Sequence, residues 1–301
     1  MKRIAILRCG QLPSFVTWDV PNFDELFAEE KLLQRGFEVQ GFEADVVVWN
    51  RPEIDWNKYD IALIRSTWDY LDQMDLFLEV LSRMEASTCK LYNSLEAIRW
   101  NIDKYYMFDL EKWDAPIIPT YLAPKMGVDG IRKIFMDRGW QTAVIKPMIG
   151  LAGSYTHKVN LGELEGMTRM LQLDHLRQEF IIQPFIESVV DEGEWSFIYF
   201  NGELSHVLLK KPAPNDYRMQ GIYGGTIQPA KPRPDDLVQA EGVMAKLPFD
   251  ILQARLDFVR VEGRLSIIEV ELIEPIFSFN LVPEGIGRLV HATRVKFGME
   301  D

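Results

Sequence analysis

Two short runs near the C-terminus carry the residues best suited to chemistry. The run Gln253-Ala254-Arg255-Leu256-Asp257-Phe258-Val259 is followed, after Arg260-Val261-Glu262-Gly263-Arg264, by Leu265-Ser266-Ile267-Ile268-Glu269-Val270-Glu271-Leu272. Side chains alternate faces along a strand. Ala254, Leu256 and Phe258 therefore share one face, and Arg255 and Asp257 the other. In the second run Ile268, Val270 and Leu272 oppose Glu269 and Glu271. A turn near Glu262-Gly263 makes the two runs an antiparallel hairpin. Asp257 then lies near Ile268 or Glu269, and Arg255 near Val270 or Glu271. Like charges opposed across a sheet destabilise it, so something must offset three carboxylates beside one guanidinium. Open solvent suffices if the face is wet. A divalent cation does it better, because Mg²⁺ typically takes one or two carboxylates plus phosphate oxygens. Arg255 suits the same chemistry, since its planar fork meets oxyanions bidentately. His157, His175, His206 and His291 show no ligand spacing, which argues against zinc.

A phosphate requires cations elsewhere. Thr142-Ala143-Val144-Ile145-Lys146-Pro147 reads as a strand ending in a lysine, and a small-residue loop with Gly150, Gly153 and Ser154 follows it. Glycine lets backbone N–H groups approach phosphate oxygens. The loop lacks both a GK[ST] ending and a GxGxxG run. Taken alone, it is more simply an ordinary turn with a surface lysine. Lys104 stands at a helix start, where a solvated lysine is the everyday explanation. The apolar run 180–186 stops at Pro184. It reads either as a buried strand leaving a sheet or as a hinge that bonds a base edge while apolar residues sandwich the ring. Glu194 could accept from ribose hydroxyls.

These residues need elements to hold them. Residues 3–7, 37–42, 45–49 and 61–64 read as strands, and 23–35 as a helix. Short apolar strands alternating with helices argue for a doubly wound, mostly parallel sheet, whose ligands bind beyond the carboxyl ends of the strands. Residues 65–70 leave the fourth strand at such an edge; Ser66 or Thr67 can also simply cap a helix there. Residues 103–113 look helical. Residues 142–146, 157–160 and 180–183 look extended, with a helix over 161–175. A strand-rich stretch follows over 194–200, 203–209, 254–259 and 265–273, and Asn201-Gly202 is a two-residue hairpin signal.

Composition bounds the rest. The chain has 301 residues and a net charge of −12, so a phosphate-backbone partner is disfavoured. No apolar run reaches the roughly 18 residues that span a bilayer. The stretch after Met1-Lys2-Arg3 stops at Arg8, too soon for a signal peptide. Two cysteines, Cys9 and Cys89, are too few for a disulfide framework and read as reduced thiols of a cytoplasmic protein.

In order, Lys104, the Lys146-Pro147 strand and loop, the 183–186 hinge, Gly193-Glu194, Arg255-x-Asp257 and Glu269-x-Glu271 resemble the ATP-grasp superfamily. Ser66-Thr67-Trp68-Asp69-Tyr70, 202–206, Lys210-Lys211-Pro212 and 271–275 resemble more narrowly the cycloserine-biosynthesis O-ureido-serine cyclo-ligase-like group. The resemblance implies an α/β N-terminal lobe of parallel-sheet, pre-ATP-grasp type over 1–95. A two-lobed α+β ATP-grasp domain would follow, with a small lobe over 96–185 and a C-terminal, metal-binding lobe over 186–301. Lys104 and Lys146 would contact ATP phosphates under a closing loop that includes Gly150, Gly153 and Ser154. Gln183, Phe185 and Ile186 would line the adenine pocket, and Glu194 would hold ribose. Asp257, Glu269 and Glu271 would bind one or two Mg²⁺, and Arg255 would stabilise the transferring phosphoryl group. Many such ligases have Glu-x-Asn where this chain has Glu-x-Glu.

The expected activity is an ATP-dependent carboxylate–amine ligation, or an intramolecular cyclisation, through an acylphosphate. A small-molecule kinase and a non-catalytic nucleotide-binding protein are the rival readings. The substrate is expected near Arg8, Arg65, Trp68 and Asp69 on one side, and Lys211, Tyr217, Arg218, Gly224 and Gly225 on the other. The basic residues suit a small, amino-acid-like carboxylate. Exposed aromatic strand edges leave room for a homodimer.

Overall fold

A computed structural model describes residues 1–16, 23–123, 127–151, 153–166, 179–214, 216 and 224–299. The first sheet is wholly parallel, in the order β2 (Glu43–Val48), β1 (Arg3–Arg8), β3 (Ile61–Ile64), β4 (Lys90–Tyr92). Its central strands are apolar on both faces because helices cover both. Ile4, Ile6, Ile61 and Leu63 pack with Leu33 and Phe37 of α1 (Ala28–Val39) and with Leu289 and Val290 of the last helix, Glu284–Lys296. Ala5, Leu7, Ala62 and Ile64 pack on the other face with Phe77, Leu81 and Met84 of α2 (Met74–Glu85).

The expected strand over 37–42 is not formed. Glu30, Leu33 and Phe37 are the buried positions of α1, spaced as one helical face, so the helix runs on to Val39. Phe42 lies beyond the turn, edge-on to Phe37 at 5.4 Å between centroids. The helix expected over 103–113 is shorter, Tyr106–Lys112, and another, Leu95–Asn101, precedes it with Ser94 as its cap. Residues 161–166 begin the helix expected over 161–175; from 167 to 178 that expectation lies outside the described residues.

A second sheet has the order β5 (Tyr121–Leu122), β8 (Phe180–Pro184), β6 (Thr142–Pro147), β7 (His157–Asn160). It closes its own core. Ile131 and Phe135, from the helix Gly127–Arg138, pack on Ala143, Ile145, Val159, Phe180 and Ile182.

The third sheet is antiparallel: β11 (Thr226–Pro229), β10 (Glu203–Lys211), β9 (Glu194–Phe200), β12 (Gln253–Val261), β13 (Arg264–Glu271). Asn201 and Gly202 have φ of 50° and 81°, and Glu262 and Gly263 have 49° and 84°, the left-handed pairs that a tight hairpin turn demands. One face carries Phe197, Tyr199, Ala254, Leu256, Phe258 and Val270 into a core with Ala97, Tyr106 and Leu110. Ala97, Tyr106, Met107 and Leu110, in a stretch placed with the small lobe over 96–185 in the sequence reading, thus pack on this sheet. On the other face, Ile198, Phe200 and Leu208 bury against the parallel sheet. Farther along that face the residues turn polar, and there the site lies. Among the described residues no helix is long and apolar enough to cross a membrane.

Two buried asparagines tie the chain after β4 to the third sheet. The Asn93 amide donates to Gln253 O and Leu272 O (2.7 and 2.6 Å) and accepts from the backbone N–H groups of Leu252 and Gln253 (2.8 and 3.1 Å). Asn101 donates to Val270 O at 2.8 Å and accepts from Leu272 N at 2.7 Å. Asn93→Ala leaves four backbone groups without these partners. At about 1 kcal/mol or more per abandoned group, the expected loss is about 4 kcal/mol or more, read as a drop in urea midpoint without a change in slope.

Candidate active site

A cavity of about 650 Å³ opens where the three sheets meet. It gathers most of the residues that sequence reasoning singled out: Lys104, Lys146, Gly150, Gly153, Ser154, Gln183, Phe185, Ile186, Glu194, Arg255, Glu269, Glu271 and Trp68 all line it.

The hairpin places its charged face by register. Arg255 pairs with Glu271 and Asp257 with Glu269, after which a bulge shifts the ladder so that Phe258 faces Ile267. The bulge corrects one expectation. Ile267, not Ile268, joins the core, and Ile268 turns to the cavity. The Arg255 guanidinium stands at the centre of the acidic cluster. Its Nε donates to Asp257 (2.9 Å to Oδ2), and its Nη2 lies 2.8 Å from Asp257 Oδ2, 2.5 Å from Glu271 Oε2 and 3.9 Å from Glu269 Oε2.

Asp257 is fully buried and does not line the cavity. It also accepts from Ser196 Oγ at 2.5 Å and from Lys210 Nζ at 3.3 Å. Burial pushes this carboxyl up, but the charges of Arg255 and Lys210 outweigh it and hold it at about 2. Burial raises Glu271 and Glu194, whose cationic neighbours compensate less fully. Burial also holds Lys104 and Lys146 below the ordinary lysine range, and for Lys146 the nearby charge of Lys104 adds to the effect. Two desolvated ammonium groups in one cleft are a receptor for an anion. Gln183 donates to Thr120 Oγ1 at 3.0 Å, while its buried Oε1 has no partner and is free to accept from a ligand.

Residues 4–93 match the family model described as D-cycloserine synthetase DcsG, N-terminal domain. Cycloserine biosynthesis protein DcsG of Streptomyces lavendulae is 26% identical over 266 residues, covering 84% of this chain and 88% of that protein. The crystal structure of D-cycloserine synthetase DcsG matches with a TM-score of 0.82 at 21% identity, over 98% of this chain and 99% of that one. The ATP-grasp ligase PsnB, solved with its minimal precursor, Mg and ADP, matches with a TM-score of 0.64 at 14% identity, over 97% of both chains. The chain has the ATP-grasp fold. Its parallel-sheet lobe precedes two further sheets that face each other across the ATP-grasp cleft, as the resemblance implied.

Several expected substrate residues do not reach that cleft. Arg8 lies over the Phe27 ring at 4.4 Å. Arg65 is buried, donates to Glu29 at 3.2 Å and Gln253 at 3.3 Å, and covers Phe277. Asp69 is buried and accepts from Trp49 Nε1 at 2.5 Å. Lys211, Gly224 and Gly225 are not part of the cavity wall, and Tyr217 and Arg218 lie outside the described residues.

Two ATP-grasp cleft residues escaped sequence reasoning. Lys210 donates to Glu194 at 2.7 Å as well as to Asp257. Counting outward from the Asn201-Gly202 turn brings Lys210 within one residue of Glu194, so the signal was present. Gly193 makes the approach possible: a Cβ there would sit 2.4 Å from Lys210 O. Glu274 accepts from the Tyr70 hydroxyl at 3.2 Å, and its Oε2 has no partner. Burial, with Glu271 beside it, keeps the Glu274 carboxyl well above its usual range. A carboxyl raised in the folded state favours folding in its protonated form, so this support fades as pH rises above the ordinary glutamate value of about 4.3. Glu274→Gln is therefore expected to gain thermal stability relative to the parent chain as pH climbs from about 4.5 to about 8. Parallel melts at several pH values read the difference.

Proposed function

We propose that this chain is an ATP- and Mg²⁺-dependent ligase that activates a small carboxylate as an acylphosphate and passes the acyl group to an amine. The observation that carries this reading is the convergence of Lys104, Lys146, Arg255, Glu269 and Glu271 on one cavity with the Gln183–Ile186 segment. Likeness to the synthetase DcsG and to the ATP-grasp ligase PsnB supports the ligase class.

In the first step a carboxylate oxygen forms a bond to the γ-phosphorus, and the bond from that phosphorus to the β,γ-bridging oxygen breaks, releasing ADP. In the second, the amine nitrogen attacks the acyl carbon, phosphate departs, and the nitrogen loses a proton. Lys104 and Lys146 hold the polyphosphate, and Arg255 neutralises charge on the moving phosphoryl group. Gln183, Phe185 and Ile186 receive the base; Glu194, tethered by Lys210, accepts from ribose. Closure of the loop that bears Gly150, Gly153 and Ser154 keeps water off the acylphosphate.

Among the described residues no group of three or more His, Cys, Asp and Glu side chains could hold a metal ion unaided. Mg²⁺ does not need one, because phosphate oxygens and water complete its shell. Glu269 and Glu271 fit it: both are hard oxygen donors on the cavity wall, and burial leaves Glu271 under-compensated. Asp257 joins them if Lys210 or Arg255 releases one of its oxygens. Bound there, the ion would shield the charge between the carboxylates and the polyphosphate.

The test is a screen of carboxylates with ATP, Mg²⁺ and hydroxylamine, with nucleotide, phosphate and acyl products measured together. A ligase releases ADP and phosphate in equal amounts and leaves a hydroxamate. ADP with a stable phosphorylated product would make the chain a kinase. Nucleotide binding without turnover would make it a binding protein.

A further inference from the structure

The cleft has two chemically different ends. Among the described residues, every charged side chain on its wall comes from the second and third sheets, the connection at Asp103-Lys104, or the Glu274 segment. The parallel-sheet lobe contributes no charged side chain among the described residues. Instead, Leu12, Phe15 and Val16 follow the end of β1, Leu26 precedes α1, and Trp68 follows the end of β3. Ile276 joins them from the segment after β13.

These residues are not a closed core. Leu26 is 37% exposed and Ile276 51% exposed, so apolar surface is left wet inside a cleft. The basic side chains expected here are committed elsewhere: Arg8 over Phe27, and Arg65 against Glu29.

We infer that the carboxylate taken by this ligase bears a large apolar side chain, aliphatic or aromatic, seated among Leu12, Phe15, Val16, Leu26, Trp68 and Ile276. This rests on the ligase reading for which end reacts. A charged tail placed there would lose water without gaining a counter-charge among these six side chains. An apolar tail removes the exposed wall from water, worth roughly fourfold in affinity for each buried methylene. The carboxylate of such a molecule points back toward Arg255 and the lysines, where the described cations of the cleft stand.

The experiment uses the full chain, ATP, Mg²⁺ and hydroxylamine with amino acids in both hands: alanine, valine, leucine, phenylalanine and tryptophan against serine, asparagine and lysine. The expected result is a kcat/KM for hydroxamate formation that climbs about 50-fold from alanine to leucine, with the polar set at or below alanine. Ile276→Asp should lower kcat/KM for leucine and phenylalanine by about tenfold or more while leaving the KM for ATP in place. A preference for serine, asparagine or lysine overturns the inference. Calorimetric titration of phenylalanine and serine into the same protein is the second arm. Absence of turnover with every acid, but heat from phenylalanine and not from serine, removes the ligase reading and keeps the apolar pocket. Serine binding as well as phenylalanine, or neither binding, removes the pocket.

Discussion

Arg255→Ala is expected to lose ADP release and a large part of the fold's stability together. The guanidinium touches Asp257 and Glu271 and lies 3.9 Å from Glu269. Without it, three carboxylates share one sheet face with Lys210 as the nearest counter-charge. Removing one partner of a buried ion pair typically costs about 3–5 kcal/mol, because the remaining charge stays buried and uncompensated. For a chain of this size that is a fall of roughly 10 °C in Tm. Arg255→Lys should recover little, since one ammonium cannot span Asp257 and Glu271 as the planar fork does. Mg²⁺ separates a metal site from a purely structural cluster. The ion should raise the Tm of Arg255→Ala more than that of the parent chain, because the freed carboxylates bind it better. Equal Mg²⁺ effects on both proteins would remove Glu269 and Glu271 as its ligands.

Asp257→Asn carries the second large effect. The substitution keeps the shape but deletes the charge that fixes Arg255 and Lys210. ADP release should fall by about a thousandfold, as expected when several kcal/mol of charge organisation at a phosphoryl-transfer site is lost. The pH dependence identifies the cause. A carboxyl held near 2 when folded stabilises fully above its ordinary value of about 4, and that support is lost as pH falls from about 4 toward 2. The parent chain should show this acid-side loss and Asp257→Asn should show less of it. Near-normal turnover by Asp257→Asn would remove the acidic hairpin from the mechanism.

The hairpin could be read from the sequence because turn chemistry fixes register. Glu262-Gly263 can take the left-handed pair that a tight turn needs, and pairing counted outward from it puts Phe258 opposite Ile267 and brings Arg255 within one residue of Glu271. What alternation alone cannot contain is the bulge at Asp257, which exchanges Ile267 and Ile268 between faces. Phe37 misled for a related reason: a short apolar run suits a strand, yet helical spacing back to Leu33 and Glu30 decides its place. The substrate arginines misled differently. A strand end tells where a side chain emerges, not whether a glutamate from another element, such as Glu29 beside Arg65, claims it first. Asn93 and Asn101 gave no signal at all. Their importance lies in unpaired backbone groups far away along the chain, which only the assembled lobes bring near.

The second sheet's separate core has a consequence of its own. Ile131, Phe135, Phe180 and Ile182 pack with one another in a cluster distinct from the cores of the other two sheets. The bonds from Lys104 N to Met148 O and from Tyr105 Oη to Glu179 Oε2 are among the links across. Such a piece can swing as a unit without breaking its interior. In the proposed reaction, a polyphosphate held by Lys146 on one side and by Arg255 and the acidic hairpin on the other would act as mortar between two bricks. The tempo of catalysis would belong to the setting and cracking of that joint as much as to the bonds exchanged inside it.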